Sequence, residues 1–319
     1  MDLKTLDTFI PLIHNPYAGK EYALDPLIKA LTGFPHGKLV KKKDYHKYIN
    51  SIITFFKKQG VRIECFPTKY GGHATQLAKK LSEDHPVMFV MGGDGTINEV
   101  INGLNTQKNH LGIIPFGSSN VLAKNLGLDD DFDTLLKNLL AGETQTIDLG
   151  ICNGRYFACM AGVGFDAAVM RRASTHLKPK LGTLGVAASL LHYSLFYSIK
   201  NFNISIDGEP FYDSVASMIV CNGKYYAGKL ELIHDAKPND GKLHVLLFKK
   251  SSLKDRFSYV QALASQNYKS LSTTSLEIKT CTHLKIISKK NIPVHCDAEY
   301  TGKLSPSFSI TKQQLSVFV

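Results

Sequence analysis

Apolar and polar positions follow two different rhythms along this chain, and the change of rhythm divides it. Up to about residue 142, short continuous apolar runs alternate with stretches of helical spacing. Phe9–His14 (FIPLIH) reads as a strand running into Asn15-Pro16-Tyr17-Ala18-Gly19, a turn sequence. A helical pattern around Tyr45–Lys58 leads to a strand at Val61–Phe66. Residues 74–82 predict a helix, Val87–Met91 a strand, and Ile97–Leu104 opens the next helix. Leu111–Pro115 is another strand, followed by Phe116-Gly117-Ser118-Ser119-Asn120 and a further helix. Short, wholly apolar strands alternating with helices predict a parallel sheet covered on both faces.

Beyond that point β-like runs dominate: Thr144–Leu149, Tyr156–Ala161, Phe202–Ile206, Val215–Cys221, Leu243–Phe248, Leu284–Ser288, Val294–Cys296 and Phe308–Ile310. Asn153-Gly154, Asp207-Gly208, Asn222-Gly223 and Asn239-Asp240-Gly241 punctuate them, the pattern of an antiparallel sandwich or barrel. The expected fold is therefore α/β with two domains: a parallel-sheet domain over 1–142 and a β-rich domain over 143–319. About the last 15 residues are expected to return to the first domain. A cleft between the two is the expected location of a site.

Composition narrows the class. The 319 residues are 44% hydrophobic, ordinary for a globular protein, and no charged leader followed by an apolar core marks the start for secretion. Leu181–Ile199 contains no Asp, Glu, Lys or Arg, but its serines, threonine, tyrosines and histidine would lie unpartnered in hydrocarbon. A buried or cleft-lining helix is the preferred reading. Six scattered cysteines with no CxxC pair fit a reducing cytoplasm and small buried hydrophobes better than zinc or disulfides. The net charge of +11 suits nucleic acid, an anionic membrane or a phosphorylated substrate. It comes with clumps at Lys41–Lys43, Arg171-Arg172, Lys249-Lys250 and Lys289-Lys290. No nucleic-acid-binding signature accompanies that charge, so nucleic acid is not expected as a partner.

The candidate chemistry lies at the end of the third strand, in Gly92-Gly93-Asp94-Gly95-Thr96. Ligands of open parallel sheets gather at the carboxyl ends of the strands. Three residues without a Cβ let the backbone turn sharply and approach a polyphosphate, and Thr96 can cap a helix whose N-terminus favours anions. A bare carboxylate beside phosphates would repel them, so Asp94 makes sense with Mg²⁺ between the two.

Gly92–Leu104 (GGDGTINEVINGL) resembles the signature of the diacylglycerol kinase catalytic family, which includes bacterial lipid kinases and sphingosine and ceramide kinases. The resemblance continues through Asn15-Pro16 with Gly19, Thr68 before Gly72-His73-Ala74, LGIIPFGSSN at 111–120 and IDLG at 147–150. It extends to GVGFDA at 162–167, CNGKYYAG at 221–228, NDGKL at 239–243 and Asp297-Ala298-Glu299. It implies a fold shared with NAD kinases, ATP held by the first domain, and a lipid substrate on the second. Carried over residue by residue, Asn15, Thr68, Gly92, Gly93, Asp94, Gly95, Thr96, Ile97, Asn98 and Ser118 would line the nucleotide. Glu299 would be the general base, with Asp297 as second choice, and Asp240 with the carbonyl oxygens of Lys237 and Lys242 would hold a structural Mg²⁺.

The chain departs from the family at Ala298, where Asp-Gly-Glu is usual, at Ser118-Ser119 in place of Thr-Gly, and in a Lys- and His-rich insertion over Gly33–Lys47. The function implied is an ATP-dependent lipid kinase acting on diacylglycerol, a sphingoid base or another long-chain alcohol. The alternatives are a soluble acceptor such as NAD, and a non-catalytic lipid-binding protein on the same scaffold. The expected partners are the lipid and an anionic membrane surface, with a second copy of the chain as a further candidate. The expected location is cytoplasmic with peripheral membrane attachment.

Overall fold

A computed structural model describes residues 1–18, 42–117, 119–128, 131–172, 192, 197–226, 230–264, 275–288, 290–297, 299–303 and 306–319. Ser118, Ala298, Lys289, most of the 33–47 insertion and most of the 181–199 segment lie outside the described residues. The chain forms two compact units, one built on the described residues of Met1–Glu21, His36–Asp148 and Lys312–Val319, the other on those of Leu149–Thr311.

In the first unit, β1 (Ile10–His14), β2 (Ile63–Pro67), β3 (Val87–Gly92) and β4 (His110–Pro115) form a parallel sheet in the order β2-β1-β3-β4. β1 and β3 are buried along their whole length, which is why both read as unbroken apolar runs. The helices are α1 (Lys42–Lys58), α2 (His73–Leu81), α3 (Asp94–Ile101), α4 (Val121–Asn125) and α5 (Phe132–Ala141). Asp131 caps α5 by accepting the Thr134 amide at 2.9 Å, and Gly142 ends it at φ 75° in the left-handed region. The core gathers Phe56, Phe89, Leu12, Ile52, Leu136 and Phe318.

In the second unit, β5 (Thr144–Cys152) carries the chain across, and β6 (Arg155–Phe157) turns back on it. β7 (Met160–Gly164) runs into α6 (Phe165–Arg172). Then follow β8 (Phe202–Ile206), β9 (Glu209–Val215), β10 (Ser217–Cys221), the short pair β11 (Tyr225–Tyr226) and β12 (Leu230–Glu231), and β13 (Leu243–Phe248). After α7 (Leu253–Ala264) come β14 (Leu276–Cys281), β15 (His283–Ile287), β16 (Pro293–Cys296), β17 (Glu299–Lys303) and β18 (Ser307–Phe318). One antiparallel sheet has the order β14-β13-β10-β7-β16-β17; β8, β9, β15 and the start of β18 pair in another. One core draws Val163, Val220 and Val245 from the first of these and Ile204, Ile286 and Phe308 from the second, the packing of a β sandwich.

β18 serves both units: Ser307–Ser309 pair with β15, whereas Ser316 and Val317 pair in parallel with β4. The sequence suggested only Phe308–Ile310 as strand there. α6 and α7 are helices where β-like texture dominated the sequence. None of the six cysteines forms a disulfide, and all but Cys65 are buried.

Candidate active site

The carboxyl ends of the parallel strands stand level, with His14 opposite both Pro67 and Met91, and Gly92 opposite Pro115. The loops that leave them are tied together. Asn15 donates from its amide to Thr96 Oγ1 at 3.1 Å, and its own Oδ1 accepts the Tyr17 amide at 2.9 Å. The Thr68 backbone donates to the His14 carbonyl at 2.8 Å. Three motifs far apart in sequence thus meet at one end of one sheet.

The glycines are needed for a reason the sequence did not reveal. Gly93 has φ −88° and ψ 177°, an extended conformation open to any residue. A Cβ on Gly117, however, would lie 2.5 Å from the Gly93 Cα, and one on Gly92 would lie 2.7 Å from the Thr96 Cβ. The two glycine loops touch backbone to backbone, and Thr96 folds over Gly92. Close packing, as well as approach to a ligand, requires them.

Thr96 is not a cap. α3 begins at Asp94, with Gly93 as N-cap and no side-chain cap bond, because the helix starts inside the glycine loop rather than after it. The first amides of α3 therefore carry no capping side chain, the arrangement that favours an anion. Gly95 lies in its first turn. Ile97 is buried apolar core and can offer a ligand only its backbone, and Asn98 is buried against Asn102. Asp94 Oδ1 accepts the Leu122 amide at 3.3 Å, which links α3 to α4. In the loop before α4, Asn120 takes φ 48° and hydrogen-bonds Gly117 in both directions, at 2.8 and 3.0 Å.

Glu99 and Gly103 belong to the same signature, and sequence reading gave them no role. The Glu99 carboxylate accepts the amides of Gly72 and Ala74 at 2.8 and 3.1 Å, so it caps α2 from a distance. A Cβ on Gly103 would overlap the Thr75 carbonyl oxygen. An acidic residue facing the Gly72-His73-Ala74 turn was the only available signal, and it needs the fold to be read.

His14, at the end of β1, is hydrogen-bonded through Nδ1 to the Tyr45 hydroxyl. Burial, and then the neighbouring His46, push its pKa down from 6.5 to about 4. Because the folded value lies below the unfolded one, the unfolded chain takes up the proton first as pH falls. Melting temperature should therefore decline between about pH 6.5 and about pH 4. In His14→Gln that part of the decline should vanish; an unchanged pH profile would show that His14 does not cause it.

Within the second unit, Glu299 opens β17, half-buried and ion-paired with Arg155. Asp297, the second choice for base, is committed elsewhere. It is buried, and its carboxylate accepts the amides of Ala158, Cys159 and Met160 at 2.7, 3.0 and 2.9 Å. Its φ of 46° lies in the left-handed region, which aspartate tolerates. These three amides make Asp297 an anchor of the hairpin.

Mg²⁺ asks for an octahedron of oxygens, commonly one or two carboxylates completed by substrate phosphates and water. Asp94 suits that use as a single partly buried carboxylate beside uncapped amides. Among the described residues no group of three or more His, Cys, Asp or Glu could hold a metal alone. The Asp240 turn fits less well. Asp240 accepts the amides of Lys237 and Lys242 at 3.1 and 3.0 Å and meets His244 Nε2 at 2.8 Å, while its own amide reaches the Lys237 carbonyl at 3.4 Å. Three donors already close around the carboxylate that the resemblance made a metal ligand, so the turn holds itself without a cation. Accordingly Mg²⁺ without nucleotide should leave the melting temperature unchanged, and Asp240→Ala should cost about 1–2 kcal/mol through the donors it strands. A Mg²⁺-dependent rise that Asp240→Asn abolishes would restore the metal site.

Comparison with known proteins agrees with this layout. Residues 40–152 match the family model "Diacylglycerol kinase catalytic domain", and residues 159–319 match "YegS C-terminal NAD kinase beta sandwich-like domain". A diacylglycerol kinase of Staphylococcus carnosus is 25% identical over 310 residues, covering 96% of this chain and 94% of its own. One of Staphylococcus saprophyticus is 27% identical over 312 residues, covering 96% and 94%. A crystal structure of a diacylglycerol kinase from Bacillus anthracis superposes with a TM-score of 0.70 at 18% identity, over 97% of this chain and 96% of that one. Together the two matched domains place this chain in the diacylglycerol kinase catalytic-domain family, with a C-terminal half of the NAD kinase-like β-sandwich type.

Proposed function

We propose that the protein transfers the γ-phosphoryl group of ATP to the hydroxyl of a membrane lipid, diacylglycerol or a sphingoid base. The observation that carries this reading is the level strand end of the first unit. There Asn15, Thr68 and the Gly92–Thr96 loop converge beside the uncapped start of α3. Phosphoryl transfer asks a protein mainly for positioning and charge neutralisation, and this end offers backbone amides and one carboxylate for both. Mg²⁺, when bound with the nucleotide, supplies neutralising charge at the phosphate oxygens.

The chain's own residues do the rest. The amides of α3 and the glycine loops hold the phosphates, and Asn15 and Thr68 fix the loops against one another. Glu299 takes the proton of the lipid hydroxyl as the new O–P bond forms and the bond to ADP breaks. Arg155 supplies the counter-charge that orients the Glu299 carboxylate. The surplus of eleven positive charges favours an anionic bilayer, where the acceptor resides. Among the described residues no helix is long and apolar enough to cross a membrane.

The test is transfer of label from γ-³²P-ATP, with Mg²⁺, to a panel of diacylglycerol, sphingosine, ceramide and NAD. The lipids are presented in anionic and in neutral vesicles. Labelled lipid with dependence on anionic vesicles supports the reading. Labelled NAD would move the protein to a soluble acceptor, and no transfer to any acceptor would make it a binding protein.

A further inference from the structure

The GVGFDA motif at 162–167 has no role in the chemistry above, yet it touches the hairpin that carries Glu299. Asp166, in the first turn of α6, meets His295 Nε2 at 2.6 Å through one oxygen and the Tyr226 hydroxyl at 2.5 Å through the other. His295 is fully buried on β16, and its Nδ1 has no hydrogen-bond partner among the described residues. An apolar side chain would leave no such nitrogen stranded, so the imidazole is kept there for its bond to Asp166. Gly162 lies beside His295 on β7, where a Cβ would overlap both Asp166 Oδ2 and His295 Nε2. The first glycine of the motif makes room for this pair.

The pair sits at an irregularity that decides where Glu299 points. Val294 pairs with Gly302 but His295 with Tyr300, so Thr301 is the extra residue of a β-bulge. Beyond it, Cys296 pairs with Glu299. Paired residues share a face and successive residues alternate. His295 and Tyr300 therefore face α6, where Asp166 holds the first and the Arg171 guanidinium lies 4.9 Å from the ring of the second. Cys296 and Glu299 take the opposite face, where Glu299 meets Arg155. A slip of one residue would reverse the two faces and withdraw Glu299.

We propose that Asp166 and His295 are positioning residues: their buried bond locks the bulged register of β16 and β17 and thereby fixes the face from which Glu299 projects. This rests on Glu299 being the base of the proposed transfer. Asp297 anchors the same hairpin at its turn, so the strand that presents Glu299 is held at two points, on α6 and on the start of β7.

A double-mutant cycle on the full chain tests it, with ATP and lipid vesicles as substrates. Asp166→Asn should lower kcat by about 10²-fold, the scale of a misplacement near 1 Å, with KM for ATP unchanged. In a Glu299→Gln background the same substitution should cost nothing further, because the group it positions is already gone. His295→Gln, which can still donate to Asp166, should keep more rate than His295→Leu. Losses that multiply independently, an Asp166→Asn enzyme at full rate, or equal rates for the two His295 variants would each overturn the clamp. Failure of the base assignment shows separately, as full rate in Glu299→Gln alone. If Asp166→Asn does not fold, the two His295 variants carry the test.

Discussion

Glu299→Gln is expected to bind ATP and melt as the parent does, yet lose about 10²–10⁴-fold in phosphoryl transfer, roughly 3–5 kcal/mol of barrier. The amide keeps the size of the side chain and one acceptor oxygen, so β17 and its pairing with β16 have no reason to move. What it cannot do is accept a proton. Loss of the Arg155 ion pair costs little stability, since both side chains are about one-third exposed and such pairs contribute about 1 kcal/mol or less. Asp297→Asn should behave in the opposite manner. It removes an acceptor from a buried cluster of three amides and should lower melting temperature before it changes the chemistry. The pair of variants is measured by steady-state turnover and thermal melting. A larger rate loss in Asp297→Asn with an intact fold would make Asp297 the base and refute the assignment of Glu299.

The second large effect is expected at Asp94. Asp94→Asn should remove nearly all transfer, because the carboxylate is the one group of the glycine loop able to share Mg²⁺ with the nucleotide. The fold should be little affected: the asparagine oxygen can still accept the Leu122 amide, and α3 lacks a side-chain cap in the parent already. Titration with Mg²⁺ separates the two contributions, since a variant that only lowers metal affinity recovers rate at high Mg²⁺. Near-normal turnover at ordinary Mg²⁺ would take the loop out of the mechanism.

Much of the first unit was legible because its strands are buried on both faces. FIPLIH and VMFVM cannot be read as anything but central strands, and the turn residues after them mark the carboxyl ends where ligands gather. Helix boundaries were less legible: α3 starts at Asp94, inside the loop, where three glycines in four residues argue against a helix from propensity alone. In the second unit the turns were readable but α6 and α7 were not. The apolar run of β7 continues into α6 without a change that marks the switch from a period of two to one of 3.6.

The sequence by itself determined the parallel first unit, the antiparallel second one, and the family through an ordered set of local motifs. Each of those is a local property: a periodicity, a turn residue or a short run of fixed spacing survives in one dimension. Tertiary structure alone decided that Gly93 and Gly117 are glycines for each other's sake and Gly92 for that of Thr96, and that Glu99 caps a helix twenty-five residues before it. It also decided that Asp297 is an anchor while Glu299 is not, and that Asp166 reaches His295 across 129 positions. Two carboxylates two residues apart look alike in sequence, and which of them is buried depends on the strands that pair beside them.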